Sequence, residues 1–152
     1  MPTQPAPARQ LAGFIAKFDP KVAMVIRASR LALRTQFPAA NEIVYDNYNF
    51  FVIGYCTTER TSDCMFSIAA AANGVGLSFY YGSALPDPEG ILLGGGKQNR
   101  FIRLPSAATL REPAVQALLG AAVAQARHPL PKTGRGQTII KSISAKQRAR
   151  RK

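Results

Sequence analysis

The stretch MFSIAAAANGVGLSFYY, residues 65–81, decides the fold. Two strand-like runs, Met65–Ala71 and Val75–Tyr81, flank the dipeptide Asn73-Gly74. Asn-Gly is the preferred pair for a tight turn with positive φ, and between two apolar runs it predicts a β-hairpin. The strand period extends outward from there. Phe50–Cys56 is apolar and aromatic, and the polar Thr57–Asp63 joins it to the hairpin. Glu42–Asp46 is a further short strand, Arg100–Leu104 alternates in the same way, and Thr138–Ile143 reads as a last strand. Between them, residues 82–98 form a long loop punctuated by Gly, Pro and Asp.

Helices frame these strands. Leu11, Phe14, Ile15 and Phe18 share one face of a short helix over residues 10–18. Asp19-Pro20 reads as an N-cap followed by proline at the first helical position. From 20 to 36, Val22, Val25, Ile26, Ser29 and Leu33 lie within about 100° of helical arc, and Pro38 stops the run. Arg27, Arg30 and Arg34 occupy a separate arc of the same helix. Val115, Leu118, Leu119, Ala122 and Val123 mark a later amphipathic helix with Pro113 near its start, stopped by Pro129 and Pro131. The expected fold is α+β: an antiparallel sheet of about five to six strands, with N-terminal helices and one helix from the C-terminal half packed on one face. Residues 1–9 read as a disordered lead punctuated by Pro2, Pro5 and Pro7, residues 10–144 as a single domain, and residues 145–152 as a solvated basic tail.

Length and composition fit one domain. A chain of 152 residues buries roughly 70% of its unfolded surface, enough for a core without staples. Twenty Lys and Arg stand against eight Asp and Glu, a net charge of +12. Eight of the basic residues fall in 132–152 with no acid among them, so the other 131 residues carry only +4. A basic end points to polyanions. The N-terminus lacks the apolar run of a signal peptide, and no stretch approaches the ~18 apolar residues of a membrane span. Cys56 and Cys64 match no zinc or redox spacing, which suggests a cytoplasmic protein with free thiols.

Catalytic chemistry is thinly supplied. His128 is the only histidine and stands beside Pro129 at the end of the last helix, where it suits the helix dipole better than base catalysis. Asp87 and Glu89 flank Pro88 and read as turn chemistry. No cluster has the ligand count of a zinc or carboxylate-rich metal site, and no cofactor motif appears. Gly94-Gly95-Gly96-Lys97 is not a Walker loop, because Ile91 stands where its first glycine belongs and Gln98 where it needs Ser or Thr. Glycine-rich backbone can still form an amide nest for an anion, with Lys97 and Arg100 adding charge. Asn47 and Tyr48, in the polar-aromatic run 45–49, and Tyr80 supply hydrogen-bonding and stacking groups. The leading expectation is therefore a binding module for an anionic ligand, built from Asn47, Tyr48, Tyr80, Lys97 and Arg100. The alternative is nucleic-acid binding through Arg27, Arg30 and Arg34 with the tail residues Lys146, Arg148, Arg150 and Arg151.

Four motifs carry a resemblance: Val44-Tyr45-Asp46-Asn47-Tyr48, Leu85-Pro86-Asp87-Pro88, Gly94-x-Gly96-Lys97-x-x-Arg100, and Ser142-x-Ser144-Ala145-Lys146-Gln147-Arg148. With these the chain resembles the YdhG-like family of small bacterial proteins over roughly residues 10–150. The resemblance implies a domain similar to frataxin, an antiparallel sheet packed by helices. Some members of that wider group are implicated as iron chaperones for iron–sulfur cluster and haem synthesis, so the resemblance adds an iron or iron–sulfur accessory role as a further alternative for this chain. Such iron binding uses an acidic first helix, whereas residues 10–37 here carry Asp19 alone against Lys17, Lys21, Arg27, Arg30 and Arg34.

Overall fold

The computed structural model describes residues 6–152. Helices α1 (Pro7–Ile15) and α2 (Pro20–Gln36) lead into four consecutive strands, β1 (Asn41–Asp46), β2 (Phe51–Cys56), β3 (Cys64–Ala71) and β4 (Gly74–Phe79). Strand β5 (Arg100–Arg103), helix α3 (Pro113–Ala124) and strand β6 (Thr138–Ile143) complete the chain. The six strands form one sheet in the order β5-β4-β3-β2-β1-β6. The class is α+β, as the sequence leads one to expect.

One expectation changes: the sheet is mixed. The meander from β1 to β5 is antiparallel throughout, but β6 pairs parallel to β1. The cause is the long connection carrying α3, which returns the chain from the β5 edge to the opposite edge. A crossover of that length is what a parallel pair requires.

Strand alternation divides the sheet into two faces. On one, Val44, Phe51, Ile53, Tyr55, Phe66, Ile68, Leu77, Phe79 and Ile102 pack in a single core with Leu11, Ile15, Ile26, Leu33, Leu118 and Leu119 of the three helices. Removing a large side chain at its centre, such as Phe66, would cost about 3–5 kcal/mol. The other face bears small residues over β3 and β4 (Ala69, Ala71, Gly74, Gly76, Ser78) and no helix. Towards β1 it closes into a small second cluster of Ile43, Cys56 and Cys64 beneath Tyr45.

Boundaries shift for identifiable reasons. Helix α1 begins at Pro7, not residue 10, since proline with its fixed φ suits the first helical turn. Residues 7–9 of the expected disordered lead are therefore helical, and residues 1–5 of it lie outside the described residues. Asp19 takes the N-cap position of α2 with Pro20 following, but its carboxylate makes no cap hydrogen bond and accepts instead from the Lys152 amide at 3.2 Å. Helix α3 ends at Ala124, so His128 stands clear of the helix terminus. The expected long loop contains a bridge in which Leu93 and Phe101 exchange both backbone hydrogen bonds.

The C-terminal residues 145–152 are not a free arm. They lie across the end of β1 and along the end of α1, and Arg150 is buried. Its Nη2 donates to Asp46 Oδ1 at 3.0 Å and to the Asn47 carbonyl, while Nη1 reaches the Asn49 carbonyl. Asp46 is wholly buried and also accepts from Lys17 Nζ. Gln147 donates to the Asp46 carbonyl at 2.7 Å, and Arg151 donates to the carbonyls of Ala16 and Lys17 just after α1. The reason is electrostatic. A buried carboxylate must be paired, and those last carbonyls attract cations.

Candidate functional site

The first proposed residue set does not converge. Asn47 and Tyr48 form the turn between β1 and β2, at the sheet end marked by the pairs Asp46–Phe51, Phe51–Ala70 and Ala70–Val75. Tyr80 and Arg100 belong to the opposite end, where Phe79 pairs with Arg100 and Cys56 with Cys64. Lys97 is exposed on the loop that leads into Arg100. Local bonds already engage most of these groups. Asn47 Oδ1 accepts from the Ser142 hydroxyl at 2.7 Å, the Arg148 guanidinium stands 5.6 Å from the Tyr48 ring centre, and Arg100 folds back onto the carbonyls of Gly96 and Asn99. Gly82 explains how tightly Arg100 is held: a Cβ there would come within 2.5 Å of the Arg100 Cβ.

The second set divides. Arg27, Arg30 and Arg34 recur at helical spacing along α2 and share one groove. The tail does not extend that groove as expected: Arg150 belongs to the buried Asp46 pair, Arg151 to backbone carbonyls and Arg148 to Tyr48, while Lys146 is exposed.

The groove has a volume of about 550 Å³. Ala12 and Ile15 of α1 form one wall, and Arg27, Arg30, Leu31, Arg34 and Thr35 of α2 the other. Pro38 closes one side, and a fourth arginine, Arg135, enters from the segment before β6. Nothing in the sequence pattern pointed to Arg135. Its neighbour Gly136 holds it there. The Gly136 amide donates to the Pro38 carbonyl at 2.8 Å, and any Cβ at this position would fall 1.8 Å from the Ala40 carbonyl oxygen. Only glycine lets the segment run that close.

One carboxylate lies behind this groove. Glu42 is buried on the helix face of β1 and accepts from Arg30 Nε at 2.9 Å and Arg30 Nη2 at 3.0 Å. The Tyr55 hydroxyl at 3.0 Å and the Thr138 hydroxyl at 2.7 Å complete its shell, and Arg34 Nη1 stands 3.7 Å away. Burial pulls the Arg30 guanidinium down, but the hydrogen bond and charge of Glu42 outweigh it and hold Arg30 above its ordinary value. Burial, reinforced by the charge and hydrogen bond of Glu42, pushes the Tyr55 hydroxyl well above its usual range. Glu42 therefore neutralises one arginine from beneath and fixes its fork. No carboxylate lines the groove itself, and among the described residues neither Arg27 nor Arg135 forms an ion pair. The arrangement leaves an excess of positive charge beside the apolar side chains of Ala12, Ile15 and Leu31.

Two other concavities exist. A hollow of about 340 Å³ is lined by Arg60, Asp63, Cys64, Tyr81, Arg127 and His128 among others. A broad trough of about 790 Å³ runs over the helix-free sheet face between Phe50 and Phe101. No three His, Cys, Asp or Glu side chains gather to hold a metal among the described residues. No helix among them is long and apolar enough to cross a membrane.

No family model, curated protein or solved structure matches this chain.

Proposed function

We propose that the protein binds a compact phosphate-bearing ligand in the arginine groove between α1 and α2. The observation that carries this reading is the lining: four arginines with no carboxylate among them, around a volume suited to a small ligand. Guanidinium groups present planar forks that match phosphate oxygens two at a time. Arg27 and Arg135 grip the phosphate. Arg30, whose Nε and Nη2 are held by Glu42, offers its remaining edge in a preset direction. The organic body of the ligand lies on Ala12, Ile15 and Leu31, and Leu31 is 69% exposed on the free protein.

Thermal denaturation with inorganic phosphate, pyrophosphate, nucleoside phosphates and a short DNA duplex tests the reading. A ligand at 100 times its dissociation constant stabilises by about 2.7 kcal/mol. For a chain of this size that raises the midpoint by about 5–10 °C. The shift belongs to the phosphorylated small molecules and disappears in the Arg27→Gln, Arg135→Gln double variant. A panel without any shift would sink the proposal. A shift from duplex DNA alone would move the ligand to nucleic acid.

We also propose the chain as a divergent relative of the YdhG-like group, on its four motifs alone. An iron role does not accompany that reading. Glu42 and Asp46 are both buried in ion pairs, and α2 is basic.

A further inference from the structure

The two cysteines stand face to face. Strands β2 and β3 pair regularly up to Tyr55–Phe66, and then the register slips so that Cys56 pairs with Cys64. Met65 is the extra residue of this bulge and turns into the main core. Without the bulge Cys56 would face Met65, and the sulfurs would lie on opposite faces of the sheet. With it, both thiols point into the small cluster with Ile43. The next pair outward is hydrogen-bonded, Thr57 N–H to the Asp63 carbonyl at 3.2 Å. Cys56 and Cys64 therefore occupy a non-hydrogen-bonded position, where directly opposed residues of an antiparallel pair come closest, about 4.5 Å between Cα atoms. That separation lies inside the range a disulfide spans.

The two thiols influence each other. The adjoining Cys64 thiol holds the Cys56 thiol far above its ordinary value, with burial adding to the effect. Cys64 in turn donates to the Phe66 carbonyl at 3.4 Å. Access is unequal. Cys56 is 1% exposed, whereas Cys64 is 8% exposed and forms part of the wall of the 340 Å³ hollow, beside Arg60, Arg127 and His128. Gly54 leaves room over both sulfurs, since a Cβ there would stand 3.2 Å from Cys64 Sγ and 3.9 Å from Cys56 Sγ.

We propose that Cys56 and Cys64 are a thiol pair oxidised by hydroperoxides to an intramolecular disulfide, with Cys64 attacking first and Cys56 resolving. The Cys64 sulfur, as thiolate, attacks a peroxide oxygen. The O–O bond breaks, a sulfenic acid forms on Cys64, and the leaving oxygen takes up a proton as water or an alcohol. The Cys56 sulfur then attacks the Cys64 sulfur. The S–S bond forms as the S–O bond breaks, and the departing hydroxide leaves as water with the Cys56 proton. Two thiols are oxidised and one peroxide is reduced, with no other reactant.

The test treats the full chain with hydrogen peroxide, quenches in denaturant with a thiol alkylator, and measures intact mass without reductant. The expected product is a monomer lacking two hydrogens in which neither cysteine is alkylated. Tryptic digestion then yields residues 35–60 covalently linked to residues 61–97, and reductant separates them. In Cys56→Ala, peroxide leaves a sulfenic acid on Cys64 that a dione reagent traps. In Cys64→Ala, Cys56 stays a thiol at the same dose. Two alkylated cysteines in the treated wild-type chain, or disulfides found only between chains, would overturn the proposal, and this measurement does not depend on how the variants fold. Trapping on Cys56 in place of Cys64 would overturn the assigned order.

Discussion

Glu42 shows how a single side chain connects the core to the proposed site. It accepts two bonds from Arg30 and one each from Tyr55 and Thr138, so three neighbouring side chains depend on its charge. Breaking a buried pair leaves an uncompensated charge and costs about 3–5 kcal/mol. Arg30 keeps partial solvent access, so Glu42→Gln is expected at the lower end, about 3 kcal/mol by urea denaturation. Tyr55 sets an alkaline limit. Its hydroxyl titrates higher in the folded state than in the unfolded chain, so its contribution is intact below the unfolded value near 10 and is lost as pH rises towards the folded value. Cys56 acts with the same sign from its own unfolded value near 9. Melting temperature therefore falls above about pH 9. The fall is shallower in Tyr55→Phe, which starts about 1 kcal/mol less stable for want of the bond to Glu42. An equally steep fall in that variant would remove Tyr55 from the explanation.

At the scale of elements, local signals carried a long way. The β3–β4 hairpin, the helix from Pro20 to its stop before Pro38, and the alternation of β5 all stand where their residues indicate, but the hairpin turn is one residue early: Ala72 and Asn73 form it, and Gly74 opens β4 opposite Ala71. These features depend on neighbours within a few positions. The parallel pairing of β6 depends on where a long crossover returns, which no local pattern encodes. The tail illustrates the same limit. Its sequence reads as a solvated charge run, yet Arg150 completes a buried pair with Asp46, more than a hundred residues earlier. Two acids four positions apart on a strand, in a chain with only eight, were the available hint that the helix-facing side of β1 needs cations. Arg150→Ala is expected to cost about 3 kcal/mol and to free residues 145–152 for proteolysis, while Lys17 keeps Asp46 partly compensated. Unchanged urea stability and unchanged proteolysis would mean that the strap adds nothing to the fold.

For the whole molecule, the net charge of +12 looks like a nucleic-acid signal, but its distribution changes that impression. Arg30 and Arg34 stand against Glu42, Lys17 and Arg150 against Asp46, and Arg151 satisfies backbone carbonyls. Of the four groove arginines, Arg27 and Arg135 are the two without a carboxylate partner. Three of the four arginines were legible as one basic helix face, read as a surface for nucleic acid, because they recur at helical spacing along α2. The fourth was not, because Arg135 arrives through the Gly136 contact with Ala40, which exists only in the folded chain. Asn47 and Tyr48 share a sequence neighbourhood with aromatics but lie at the opposite sheet end from Tyr80 and Arg100. The most direct measurement is a calorimetric titration of pyrophosphate into the wild-type protein and into the Arg27→Gln, Arg135→Gln variant at low salt. The proposal predicts saturable one-to-one binding to the wild type and at least tenfold weaker binding to the variant, which unfolds at nearly the same urea concentration. Absence of heat from the wild type, or equal affinity in the two proteins, would contradict it.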